Sequence, residues 1–133
     1  MTARGKARKR ALDLLFESDQ RGVSISDVLD SRSEVDPNDY GVQLARGVAQ
    51  HLSELDAAIV QHARDWSLHR MPAVDRCILR LAVYEMRYEP NVPDAVVVDE
   101  AVRLAAELST DESPGFVNGV LGAVQRQHGN AGD

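Results

Sequence analysis

Apolar residues recur at spacings of three and four in every long segment of this chain, and nowhere do they alternate convincingly at two. That period fits the 3.6-residue turn of an α-helix rather than the two-residue pleat of a strand. Ala7, Ala11, Leu14 and Leu15 make one stripe on a helix running to about Asp19, and Gly22 ends it. Ser26 can cap a short second helix from Asp27 to about Ser31. Asp36-Pro37 reads as an N-cap followed by proline at the first helical position, opening a third helix through Leu44, Val48 and Leu52. Ser53-Glu54-Leu55-Asp56 resembles a capping box with Asp in place of Glu or Gln, and predicts a bend into a fourth helix carrying Leu55, Ile59 and Val60.

Met71-Pro72 opens a fifth helix with Val74, Ile78, Leu81 and Ala82 inward, and Pro90 and Pro93 bracket the turn after it. A sixth runs from near Val96 to Leu108 with Val98, Ala101, Val102 and Ala105 inward. Ser113-Pro114 starts a seventh, striped by Val117, Val120, Leu121 and Val124. Val96 to Val98 is the one strand-like run; with no partner run its backbone groups would go unpaired, so it is assigned to a helix start. The expectation is an all-α architecture of about seven helices in one domain over residues 1–133, with a polar loop at 31–36.

At 133 residues and 44% hydrophobic content the chain can bury one core without metals or crosslinks, and aromatics at 5% leave that core to Leu, Val, Ile and Ala. The single Cys77 cannot form an internal disulfide and is expected to pack as a small hydrophobe in a reducing compartment. No run of 18 apolar residues and no hydrophobic stretch after the N-terminal charges occurs, so neither a membrane span nor a secretory signal is expected, and the location expected is the cytoplasm.

Charge is distributed unevenly. Arg4, Lys6, Arg8, Lys9 and Arg10 fall in the first ten residues, and all 21 acidic residues fall after them, in a chain of net charge −6. Such a tip reads as a handle for a polyanion, a nucleic-acid backbone, the alternative being a frayed basic terminus. At 100° per residue the five cations sweep about 240° of a helix, leaving the arc of Ala7, Ala11 and Leu14 for docking and the charges for water. Phe16 projects beside Lys9. An aromatic ring next to cations suits single-stranded RNA, whose bases stack while its phosphates meet Lys and Arg; the plainer reading is an edge-of-core residue.

Signatures of catalysis and metal binding are missing. His51, His62, His69 and His128 have no metal-ligand spacing, and there is neither a glycine-rich phosphate loop nor GxSxG nor a base positioned for Cys77. No enzyme activity, cofactor or metal is expected. In Ser109–Gly122, Asp111 and Glu112 precede a helix start, where acids suit the dipole. Gly119 and Gly122 lie on one side and would let another helix approach, while Phe116 flanks the apolar stripe, with core filling as its alternative.

The segments PAVDRCILRLAVYEM (72–86) and VPDAVVVDEAVRLAAELSTDESPGFVNGVLG (92–122), with RGKARKRALDLLF (4–16), resemble the NusB family of transcription antitermination factors across essentially the whole chain. The resemblance implies two small helical bundles packed as one unit. It also implies binding of boxA RNA in nascent ribosomal RNA transcripts together with a small-subunit ribosomal protein acting as NusE, alongside other Nus factors and RNA polymerase. Carried over by position, Arg4, Lys6, Arg8, Lys9 and Arg10 occupy the arginine-rich RNA-binding motif, and Phe16 and Phe116 the aromatics of the same face. Gly5, Lys6 and Lys9 depart from an all-arginine pattern, and lysine lacks the planar fork for bidentate contacts. The partner surface falls on the C-terminal bundle, at Asp75, Arg76 and Leu79, with Glu112 near Phe116. Monomer and homodimer both stay open, as does a rival class, a helical protein–protein adaptor without specific RNA binding. Some ribosomal RNA cytosine methyltransferases begin with a similar fold; with no cofactor-binding domain in these 133 residues, that activity is not expected.

Overall fold

The structure, a computed structural model, describes residues 2–32, 35–64 and 66–131, with side chains as far as residue 127. Its helices are α1 (Ala3–Arg21), α2 (Ile25–Asp30), α3 (Tyr40–Gln50), α4 (Leu52–His62), α5 (Ala73–Tyr88), α6 (Asp94–Leu108) and α7 (Ser113–Ala131), with one 3-10 turn at Leu68–Arg70. No strand occurs among the described residues. α1, α2 and α3 pack on one another, as do α4 to α7, and α5 lies between the two sets, touching α1 and α3 as well as α4, α6 and α7. A helix so enclosed must be apolar most of the way round. α5 buries Cys77, Ile78, Leu79, Leu81, Ala82, Val83 and Met86, and one continuous core links them to α1, α3, α4, α6 and α7. Burial pushes the Cys77 thiol up to about 12, so it stays an inert protonated core group.

Helix starts differ from expectation wherever two capping residues compete. Ser24, not Ser26, caps α2, its hydroxyl accepting the Asp27 N–H at 3.0 Å. Asp36 accepts the Asn38 N–H at 2.9 Å and so shapes a turn, leaving Asp39 to cap α3 through the Val42 N–H at 3.2 Å. The Ser53 capping box does not form: α3 passes into α4 at His51, which offers no side-chain cap. α6 begins at Asp94, two residues before Val96. Leu52 and Val60, expected inward, are exposed at 38% and 49%, because α4 turns only Leu55, Ala58 and Ile59 to the core.

Two charge pairs set how α1 lies on α5. Near the start of α1, Arg8 Nε donates to both Glu85 oxygens at 2.9 and 3.1 Å, and the two side chains are only 7% and 2% exposed. Burial pushes the Glu85 carboxyl up against the pull of Arg8. Near the end of α1, Arg76 holds Asp19 at 2.6 and 3.1 Å and donates to the Leu68 carbonyl at 2.7 Å. Arg80 bridges Asp19 to Asp56 of α4.

Glycine matters at two contacts of α3: at Gly47 a Cβ would run into the Tyr84 ring of α5. A Cβ at Gly41 would lie 2.8 Å from the Ala7 carbonyl oxygen and 2.9 Å from Arg10 Cβ, so α3 meets α1 backbone to backbone. Gly119 has nothing within 4 Å, and Gly122 faces only the flexible end of Arg126 at 3.5 Å. The close helix approach expected at those two positions is therefore not made.

Gly41→Ala should lower stability by about 1–3 kcal/mol through overpacking, despite alanine's better helix propensity. Gly119→Ala should raise it by about 0.4–1 kcal/mol; thermal melts of the two variants check both signs. Arg8→Met should cost about 3–5 kcal/mol by leaving Glu85 buried and unpaired, and Arg8→Met with Glu85→Leu should cost less than that single change. In Arg8→Met the folded state holds the Glu85 proton to higher pH than the unfolded chain does. Denaturant titrations should then show its stability, relative to the native protein, falling as pH rises through and above the ordinary carboxyl range.

Candidate nucleic-acid interface

The basic tip is helix from its first turn. Thr2 caps α1, its hydroxyl accepting the Gly5 N–H at 3.0 Å, and Ala3 begins the helix. Cations at a helix N-terminus oppose the dipole, and no acid stands in that first turn to offset them.

Of the five tip cations, Arg8 departs from the expected solvent position. Buried residues of α1 run from Leu14 round to Gly5, an arc of about 180°, and Arg8 projects inside it between Leu15 and Leu12. Ile78, Leu81, Ala82, Val97, Ala101 and Leu104 surround it with Glu85. Its guanidinium is engaged with Glu85 between α1 and α5, at the edge of the open groove beside Arg4.

The other four stay at the surface. Lys6 is exposed and makes no ion pair among the described residues. Arg4 is exposed with its guanidinium 5.8 Å from the centre of the Tyr40 ring. Burial, with the charge of Glu89, pushes the Tyr40 hydroxyl up to about 12 despite Arg4, so the ring is a neutral cation–π partner. Lys9 Nζ meets Glu107 Oε1 at 2.8 Å, and Arg10 Nη2 meets Asp39 Oδ2 at 2.8 Å. An open groove of about 520 Å³ runs beside Arg4, lined by Thr2, Ala3, Val92, Pro93, Val96 and Glu100 among others.

Phe16 is 38% exposed on the Lys9 side of α1. Phe116 is half-buried against the core, its ring centre 6.4 Å from that of Trp66 at 63°. Trp66, Pro72, Asp75, Thr110, Glu112, Ser113 and Phe116 line a cleft of about 160 Å³. Sequence reading passed over Trp66, although the chain's one tryptophan in a polar loop, 47% exposed, was its available signal.

The expected partner residues mostly face inward. Leu79 is wholly buried because α5 is apolar on that side too. Asp75 is 2% exposed and takes one hydroxyl on each oxygen, Ser109 at 2.6 Å and Ser113 at 2.8 Å. This network locks the α6–α7 turn to α5. Arg76 spends its guanidinium on Asp19 and the Leu68 carbonyl. Asp75 and Leu79 are buried and Arg76 is partly buried; Glu112 alone of that set is exposed.

Among the described residues no group of three or more His, Cys, Asp or Glu is placed to hold a metal, and no helix is long and apolar enough to cross a membrane. What the surface offers chemically is a helix end of four accessible cations with the exposed Phe16 ring on the same helix.

Known proteins share this arrangement of helices. The NusB family model matches residues 5–126. A curated protein of Nocardioides sp., "Transcription antitermination protein NusB", is 52% identical over 129 residues, covering 95% of this chain and 96% of that one. The solved structure "T. maritima NusB, P3121, Form 2" superposes with a TM-score of 0.83 at 31% identity, covering 95% of this chain and 92% of that one. "Crystal Structure of Antitermination Factors NusB and NusE in complex with dsRNA" superposes at 0.78 and 27% identity, covering 96% and 98%. A match over nearly all of the sequence, with the same helices in the same order, means that the chain belongs to the NusB family.

Proposed function

We propose that this chain is a non-enzymatic antitermination adaptor. It binds boxA-type single-stranded RNA in nascent ribosomal RNA transcripts, jointly with a small-subunit ribosomal protein acting as NusE. Through other Nus factors and RNA polymerase it favours processive transcription of ribosomal RNA operons. The observation that carries this reading is the ordered cationic start of α1, with Arg4, Lys6, Lys9 and Arg10 accessible and Phe16 on the Lys9 side. Family membership adds to it, since one similar solved structure joins NusB and NusE with RNA.

In this reading the four cations meet phosphates, Phe16 stacks an unpaired base, and Phe116 offers a second ring. The acidic remainder of the chain repels RNA that is not held at the tip. Arg8 contributes by fixing α1, not by touching RNA. Glu112 lies at the lip of the Phe116 cleft, where a partner or the RNA would pass it.

One observation favours the rival, a protein–protein adaptor. Lys9 and Arg10 already hold carboxylates, so an acidic protein segment could replace Glu107 and Asp39. A gel shift with boxA-like and scrambled RNA, with and without the ribosomal protein, separates the two. Sequence-blind binding in both conditions supports the rival.

Four phosphate contacts should give log affinity against log salt a slope of about −2.8, and two contacts about −1.4. Arg4→Gln with Lys6→Gln leaves the Arg8–Glu85 pair intact and should flatten the slope by about 1.4; an unchanged slope contradicts the tip's role. Phe16→Ala should weaken RNA by about 1–3 kcal/mol. Glu112→Gln should leave RNA affinity equal or stronger in the same titration, whereas a large loss would show that its carboxylate accepts an essential hydrogen bond.

A further inference from the structure

Two carboxylates stand over the tip from other helices, and neither is needed by the core. Glu107 lies in the last turn of α6, where the negative end of the helix disfavours a carboxylate and that turn holds no basic residue to offset it. Its hydrogen bond goes to Lys9 of α1, with both side chains open to water at 37% and 46%. That bond holds the Glu107 carboxyl below its ordinary value, with Arg103 assisting. Asp39 has a second partner: besides capping α3, it accepts Arg10 Nε at 3.0 Å.

We infer that Glu107 and Asp39 act as built-in competitors for the anion the tip binds, so that an RNA phosphate reaches Lys9 or Arg10 only by displacing a carboxylate. The inference rests on the RNA-binding reading of the tip. Arg4 and Lys6, which make no ion pair among the described residues, receive the first phosphates. A strand that also places a base on Phe16 offsets the cost of opening the two pairs, a cost that a lone phosphate bears in full. Each exposed pair resists exchange by only a factor of about 1.4–5. The carboxylates therefore lower affinity for every polyanion by a modest and uniform factor, which leaves retention to ligands with contacts beyond charge.

The test needs charge removed and shape kept. Glu107→Gln does this, and Asp39→Asn keeps the α3 cap, because asparagine caps as well as aspartate. Fluorescence anisotropy with boxA-like RNA and with scrambled RNA of equal length gives affinity and salt slope, and thermal melts of the same proteins report stability. Each variant should bind both RNAs about 1.4–5-fold tighter, with the gains multiplying in the double variant. Lys9→Gln should cost more affinity in the Glu107→Gln background than in the native protein. Pairs that serve stability alone would lower the melting temperature and leave RNA affinity unchanged, which overturns the inference. If the native protein binds with a salt slope from Arg4 and Lys6 while the variants bind no tighter, the competitor role fails and RNA binding stands. If the native protein binds neither RNA, both fail.

Discussion

The position of α1 depends on a charge pair that is almost wholly buried. Apolar contact along Ala7, Ala11, Leu14 and Leu15 has no direction, so it holds α1 against the rest of the protein without saying which way it runs or how far along it lies. Arg8 and Glu85 supply the direction. The partner pair at the other end, Asp19 with Arg76, carries the opposite polarity. Arg8 and Asp19 are about 16 Å apart along α1, and Arg76 and Glu85 about 14 Å along α5, so an antiparallel alignment satisfies both pairs at once. Turned end for end, α1 would set Arg8 beside Arg76 and Asp19 beside Glu85. A buried pair adds little stability against an apolar replacement, but it is costly to break, and here that cost selects one arrangement.

The helices themselves were legible because each carries a stripe at the helical period, and every segment assigned from that period is helical. What resisted reading was which side of a crowded helix is deepest. The charge of Arg8 points to solvent, yet Leu12 and Leu15 flank it on the helical projection and both are buried. Leu79 was given to a partner surface, although α5 is apolar at Ile78, Leu79, Leu81, Ala82 and Val83, too many neighbouring positions for an amphipathic helix. Asp75 offered no local warning, since its partners, Ser109 and Ser113, arrive from more than thirty positions away in sequence. Between Asp36 and Asp39 the sequence holds two equally good caps, and only the path of the chain chooses.

The basic tip resolves into groups with separate work. Arg8 is consumed by the fold, Arg4 rests on a neutral ring, Lys6 stands in water, and Lys9 and Arg10 hold carboxylates. Counting its charges from sequence therefore overstates what an incoming anion meets. The tip is nearly charge-balanced on its inner and flanking sides and cationic only at its outermost turn.

That balance is set by backbone geometry as much as by charge. Gly41 lets the first turn of α3 sit against the Ala7 carbonyl, and this contact brings Asp39, the cap of α3, beside Arg10. A side chain at position 41 would push α3 away and take Asp39 with it, loosening the Arg10 pair without changing any charged residue. The electrostatics of the tip are thus tied to how closely two helices pack. Glu107 and Lys9 add a second tie, from α6, so Lys9 and Arg10 keep their carboxylates only while both neighbouring helices are in place.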